Sequence, residues 1–163
     1  MTAGGFLRAS TYWTGPDLTD GLVSAAEEKF GYCLPTSLVD LLYQCNGGVP
    51  AGTFFRMTTP TSWAPDHFEI DAILGIGGPR GFYNEDDTGS DYLIREWGYP
   101  PIGVVLCATP SGGHDTVMLD YRALGPAGEP AVAYIDEDRV PQKIADSFAD
   151  FMTSLETPDD YDR

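Results

Sequence analysis

Hydrophobic and polar positions change their period several times along this chain, and each change predicts a different element. Leu22, Ala26 and Phe30 recur every four residues, with Val23 and Ala25 widening the stripe. That is the spacing of one helix face. Thr19 stands where a cap is needed, Asp20 falls in the first turn, and Gly31 follows as a stop. A second helix is predicted with Pro35 in its first turn and Leu38, Leu41, Leu42 and Cys45 at i, i+3, i+4 and i+7. It ends at Asn46-Gly47-Gly48. Both stripes must face one core.

The helical period then disappears. Residues 53–57 and 68–76 read as strands, divided by Pro60, Pro65 and several hydroxyl residues. A short helix is expected over residues 91–97, ended by Gly98 and Pro100-Pro101. Residues 102–121 are the centre of the pattern. Ile102, Val104, Val105, Leu106 and Cys107 form a continuous apolar run, as in a strand buried on both faces. A Thr-Pro-Ser-Gly-Gly loop follows, and then Asp115, Val117, Leu119 and Tyr121 alternate with Thr116, Met118 and Asp120. Residues 122–130 form a turn and 131–135 a strand, after which Asp136, Glu137 and Asp138 are expected in solvent. The last helix is predicted with Pro141 in its first turn and Ile144, Phe148, Phe151, Met152 and Leu155 on one face. A fraying polar tail, residues 157–163, follows it.

These elements predict an α+β fold. It is a single domain over residues 1–163, with a mixed, mostly antiparallel sheet flanked by the N-terminal helix pair and the C-terminal helix. At 163 residues the chain is long enough for a real core, and a hydrophobic share of 42% excludes a disordered chain. No apolar run reaches the roughly 20 residues that span a bilayer. The N-terminus lacks the apolar core of a secretory signal. Cys33, Cys45 and Cys107 lack metal-ligand spacing and lie in apolar neighbourhoods, so they read as buried free thiols of a cytoplasmic protein.

Charge narrows the partners. Nine Lys and Arg stand against 25 Asp and Glu, a net charge of −16. Nucleic acid and anionic membranes are thereby disfavoured, because phosphate contacts need a basic patch. A basic protein partner is compatible, since opposite fields speed encounter; acidity that serves only solubility is the plainer alternative. Glu85, Asp86, Asp87 and Asp91 form a charged loop, but its Gly89 is out of phase for an EF-hand.

Candidate chemistry gathers at the hairpin turn. In a hydrolase, His114 would be a base oriented by Asp115 or Asp120, with Ser111 or Cys107 as nucleophile. The turn lacks the G-x-S-x-G elbow. A metal reading needs His114 with carboxylates and His67. The plainer reading leaves Gly112 and Gly113 to form the turn while Asp115 and Asp120 bond backbone or Arg122. Asn46-Gly47-Gly48 could cradle an anion through its amides, or simply stop the helix. Trp63, Trp97 and Tyr99 are either core or interface anchors, and Trp63, in a Pro-rich polar loop, is expected to be exposed.

In order, the motifs resemble the SUKH superfamily. Residues 18–48 carry its N-terminal signature in Glu28, Gly31, Leu34, Pro35, Leu41, Leu42, Asn46, Gly47 and Gly48. ILGIGG is similar to its middle strand, residues 111–138 to the hairpin of one bacterial branch, and IADSFADFMTSL to its final helix. The resemblance spans about residues 18–155 and leaves 1–16 and 157–163 peripheral. The superfamily includes yeast cell-wall synthesis regulators and bacterial immunity proteins that neutralise secreted toxins, often nucleases or deaminases. It implies a protein-binding module with no catalytic residues, no cofactor and no metal, whose partner is a cognate toxin. Joined to the charge balance, it makes that toxin basic. The residues expected to meet it are Trp63, Glu85, Asp86, Asp87, Asp91, Asp136, Glu137 and Asp138. A small hydrolase or metal-dependent enzyme built on His114 and Asp115, and a regulatory scaffold, stand as alternatives.

Overall fold

The computed structural model describes residues 6–161; expectations for residues 1–5 and for 162 and 163 lie outside the described residues. Thr19 caps the first helix, α1 (Asp20–Phe30): its side chain accepts a hydrogen bond from the Leu22 amide at 3.2 Å. Gly31 ends the helix in a left-handed conformation, φ 77°, the standard way to satisfy the last carbonyls. Glu27 then reaches forward, and its carboxylate accepts the Leu34 amide at 2.7 Å. This contact fixes the entry to α2 (Thr36–Gln44), where Pro35 is the cap rather than a residue of the first turn. Leu38, Leu41 and Leu42 are buried, as their spacing predicts.

Two small ladders precede the main sheet. β1 (Leu7–Arg8) pairs with β2 (Val49–Pro50), and β3 (Phe54–Arg56) pairs with β4 (His67–Glu69). The run 68–76 is therefore not one strand. It breaks after Glu69, and its second part, β5 (Ala72–Ile73), joins another sheet. That sheet runs β5, β6 (Gly103–Ala108), β7 (Thr116–Asp120), β8 (Ala131–Ile135), β9 (Pro141–Ala145). Every ladder between named strands is antiparallel, and a parallel contact occurs at the isolated bridge Ile76–Tyr83. The expected α+β class with a mostly antiparallel sheet is the one observed.

β7 is the central strand, so both of its faces are buried despite its alternating sequence. The hairpin register slips between Val105 and Cys107, and such a bulge twists the strand locally. α3 (Ser90–Trp97) packs on β6, where the Ser90 hydroxyl accepts the Val105 amide at 2.9 Å. Among the described residues no helix is long and apolar enough to cross a membrane.

The C-terminal region departs from expectation. Pro141 begins strand β9, at the sheet edge, where a residue without an amide donor is tolerated. The helix starts only after Ser147, whose side chain accepts the Asp150 amide at 3.1 Å. This helix, α4 (Phe148–Ser154), packs against α2, β8 and β9. Phe148 and Phe151 are fully buried, each worth roughly 1.5–3 kcal/mol of transfer free energy. The tail is also tied down: Glu156 bridges to Phe54, pairs with Arg56 at 3.0 Å, and leads into α5 (Pro158–Tyr161). At the other end, residues outside the family-like stretch are docked. Leu7 is buried, and Thr14 donates to the Gly47 carbonyl at 2.7 Å.

Candidate functional site

The β6–β7 turn closes on itself through Asp115. Its Oδ1 accepts from the hydroxyls of Thr109 and Ser111, each at 2.6 Å, and its Oδ2 accepts from Tyr134 at 2.5 Å. The Asp115 amide donates back to Ser111 at 3.1 Å. Burial, and then the bond to Asp115, hold the Tyr134 phenol far above its ordinary pKa. Gly112 and Gly113 have φ of 73° and 107°, which only glycine adopts freely. A Cβ at Gly113 would also press on the Trp97 ring at 3.2 Å, so the indole would have to shift slightly to accept one.

This geometry turns His114 outward. Its half-exposed ring sits edge-on between two exposed indoles, with centroids 6.2 Å from Trp63 and 6.1 Å from Trp97. Its Nδ1 lies 3.7 Å from the Glu137 carboxylate. Arg139, which sequence reasoning missed, joins the parts. It donates to the carbonyls of His114 at 2.7 Å, Trp97 at 3.1 Å and Asp136 at 3.1 Å, with its guanidinium 4.7 Å from the Tyr99 ring centroid. Tyr99 donates in turn to the Gly113 carbonyl at 2.5 Å, and burial pushes its phenol up to about 12.

The loop that carries Trp63 is fixed as well. Thr61 accepts the amides of Trp63 and Ala64, and the Ser62 amide donates to Asp136 at 2.8 Å. Asp136 is thus buried rather than in solvent, because its carboxylate serves this amide and that of Glu137. Glu137 and Asp138 remain exposed beside the patch.

Two hollows meet at the turn. A groove of about 560 Å³ runs from Tyr12 and Arg80 to Trp97 and Gly113, with Asp71, Val105 and Asp115 among its lining residues. Burial raises the Asp71 carboxyl above its usual range. A smaller pocket of about 250 Å³ lies beside Trp63, and Asp115 lines both.

The remaining acidic candidates are elsewhere. Glu85, Asp86 and Asp87 are exposed, and Lys29 lies 3.1 Å from Asp87 and 3.9 Å from Asp91. They stand at the start of α3 and Trp97 at its end, about 10 Å apart along the helix axis. The structure therefore brings together Trp63, Asp136 and Glu137 around His114, but not the Glu85–Asp91 cluster.

The hydrolase constellation is not assembled. Among the described residues, no hydrogen bond joins His114 to Ser111, Asp115 or Asp120, and Asp120 instead pairs with Arg122 at 2.8 Å. Cys107 is buried, which drives its thiol pKa well up and away from the reactive thiolate. Cys33 is exposed and Cys45 half-buried, so only one of the three expected buried thiols is buried. Among the described residues no group of three His, Cys, Asp or Glu is placed to hold a metal ion.

Asn46-Gly47-Gly48 does more than stop α2. The Asn46 side chain donates to the carbonyls of Pro16 and Ile76, and its Oδ1 accepts the Ile76 amide at 2.9 Å. The amides of Gly47 and Gly48 bond to Cys45 and Ile73, which leaves no cradle for an anion. The motif is a clamp between α2, the N-terminal segment and the strand region after β5. No curated protein and no solved structure matches the chain. A family model matches residues 17–154, which include Asn46-Gly47-Gly48, the hairpin turn and all of α4, and on that match the chain belongs to the SMI1 / KNR4 family (SUKH-1).

Proposed function

We propose that this chain is a protein-binding module without catalytic activity, and that it is an immunity protein neutralising a cognate bacterial toxin in the cytoplasm. The observation that carries this reading is the exposed pair Trp63 and Trp97 around His114, held in place by Asp136 and Arg139 and edged by Glu137 and Asp138. Immobilised aromatic rings are the groups that dominate binding energy at interfaces, because they bury much area and lose little freedom.

Family membership supports the reading, since the bacterial members that the sequence resembles bind toxins. The net charge of −16 supports a basic partner. A nuclease or deaminase acting on nucleic acid carries a basic cleft, and an acidic surface competes for it. Glu85, Asp86, Asp87 and Asp91 contribute through this field, while Trp63, Glu137 and Asp138 make contact.

The test is titration calorimetry of the chain against the toxin encoded beside it. Trp63→Ala and Trp97→Ala should each cost about 2 kcal/mol, the scale of a hot-spot residue. No binding by the wild type overturns the immunity reading, and wild-type affinity in both variants overturns the placement of the interface.

A further inference from the structure

Asp115 is a buried carboxylate without a cation. Its relative exposure is 3%, and its hydrogen-bond partners are three neutral hydroxyls and an amide–hydroxyl loop through Ser111. Among the described residues no Lys, Arg or His side chain pairs with it. Buried charges are ordinarily paired. A carboxylate also accepts about four hydrogen bonds, one more than the three that reach its oxygens. It borders a pocket of about 250 Å³ whose other lining residues include Trp63, Phe68, Glu69 and Ser111.

That volume falls below the roughly 300–1,000 Å³ of sites for whole small molecules and suits one side chain. Its lining combines the exposed Trp63 and Glu69 with the half-buried His67 and the buried Asp115. An aromatic wall with carboxylates beside it is complementary to a planar cation, and a guanidinium both stacks on indole and forks to carboxylate oxygens. An ammonium group does only part of this.

We infer that the pocket between Trp63, Glu69 and Asp115 receives an arginine side chain of the bound protein partner. This deepens the binding reading above and rests on it. The net charge of −16 attracts a basic partner to the surface, and the pocket then selects one residue of that partner. The hydroxyl network is what makes the pocket ready, because it orients the carboxylate before the cation arrives.

The probe is a blocked tripeptide, acetyl-Gly-Arg-Gly-amide, titrated into the intact chain while NMR follows the Trp63 indole N–H and the amides of Glu69 and Ser111. Citrulline and lysine counterparts are run in parallel. Saturable shifts at these groups are expected, with a millimolar dissociation constant that the citrulline peptide weakens at least tenfold. Trp63→Ala and Glu69→Gln should each weaken binding of the arginine peptide at least tenfold with unchanged thermal melting, since both side chains are exposed. They serve better than Asp115→Asn, which disturbs the turn itself. Failure of the arginine peptide to saturate, equal binding of citrulline, or lysine binding as tight as arginine overturns the inference. The titration uses no toxin, so a chain that binds the arginine peptide but not the neighbouring toxin loses the immunity reading and keeps the pocket.

Discussion

The guanidinium of Arg139 donates to the backbone carbonyl of His114 at 2.7 Å, and Arg139 itself sits in the left-handed region with φ 62°. A strained residue in the β8–β9 turn thereby holds the tip of the β6–β7 turn, and through Trp97 also the end of α3. Hydrogen bonds from a charged donor are worth about 1.5–3 kcal/mol, less where water reaches them. Arg139→Ala should therefore cost about 1–2 kcal/mol in urea melts. The fluorescence of Trp97 should shift to the red as its backbone anchor is lost. An unchanged urea midpoint would show that the turns hold together without it.

The buried phenols predict how stability responds to alkali. Tyr99 is pushed up to about 12 by burial, and Tyr121 and Tyr134 are raised for the same reason. An unfolded tyrosine ionises near 10. Stability from these groups is fully present below that pH and is lost as pH rises, because the unfolded chain releases its protons first. Urea midpoints should begin to fall above about pH 8.5, where the unfolded Cys107 thiol ionises while the buried one stays protonated. They should fall more steeply above about pH 10 as the tyrosines join. Tyr134→Phe should flatten the fall and, by leaving Asp115 one donor short, lower stability at neutral pH by about 1–3 kcal/mol. A wild-type midpoint that does not fall above pH 10 would contradict the burial of these hydroxyls.

Phe148 tests the core. It is fully buried at the start of α4, tilted against Phe151, which stacks on Phe55. Phe148→Ala should cost about 3–5 kcal/mol. A loss below about 1 kcal/mol in denaturant melts would mean that the helix does not cover the sheet.

Elements whose determinants are local were legible in the sequence. Thr19, Gly31 and the Leu38–Leu41–Leu42 stripe fix the helix pair within a few residues of chain, and the hairpin follows from two apolar runs around glycines. Ile144 misled because it stands four residues before Phe148 and so matches a helical stripe, although it lies in β9. Ser147, a capping residue, was the available sign that a new element begins there. The run 68–76 was split by partners far along the chain, Phe55 for Phe68 and Cys107 for Ile73. Distance in sequence also hid the site. Asp136 is buried because it holds Ser62, and Arg139 reaches back to Trp97. Trp63 was legible as exposed, since its polar, Pro-rich surroundings offer no apolar stripe to bury it.

In the proposed immunity role, the acidic surface draws in a basic toxin and Trp63 then retains it. Stopped-flow mixing with the toxin encoded beside this chain, across a salt series, tests both parts at once. Salt screens charges beyond about 8 Å at physiological ionic strength, so the association rate should fall steeply with salt while the dissociation rate changes little. Trp63→Ala should leave association nearly unchanged and raise dissociation at least tenfold, which corresponds to about 1.4 kcal/mol. An association rate that is flat across the series would contradict electrostatic capture, and a toxin that does not bind at all would contradict the immunity role.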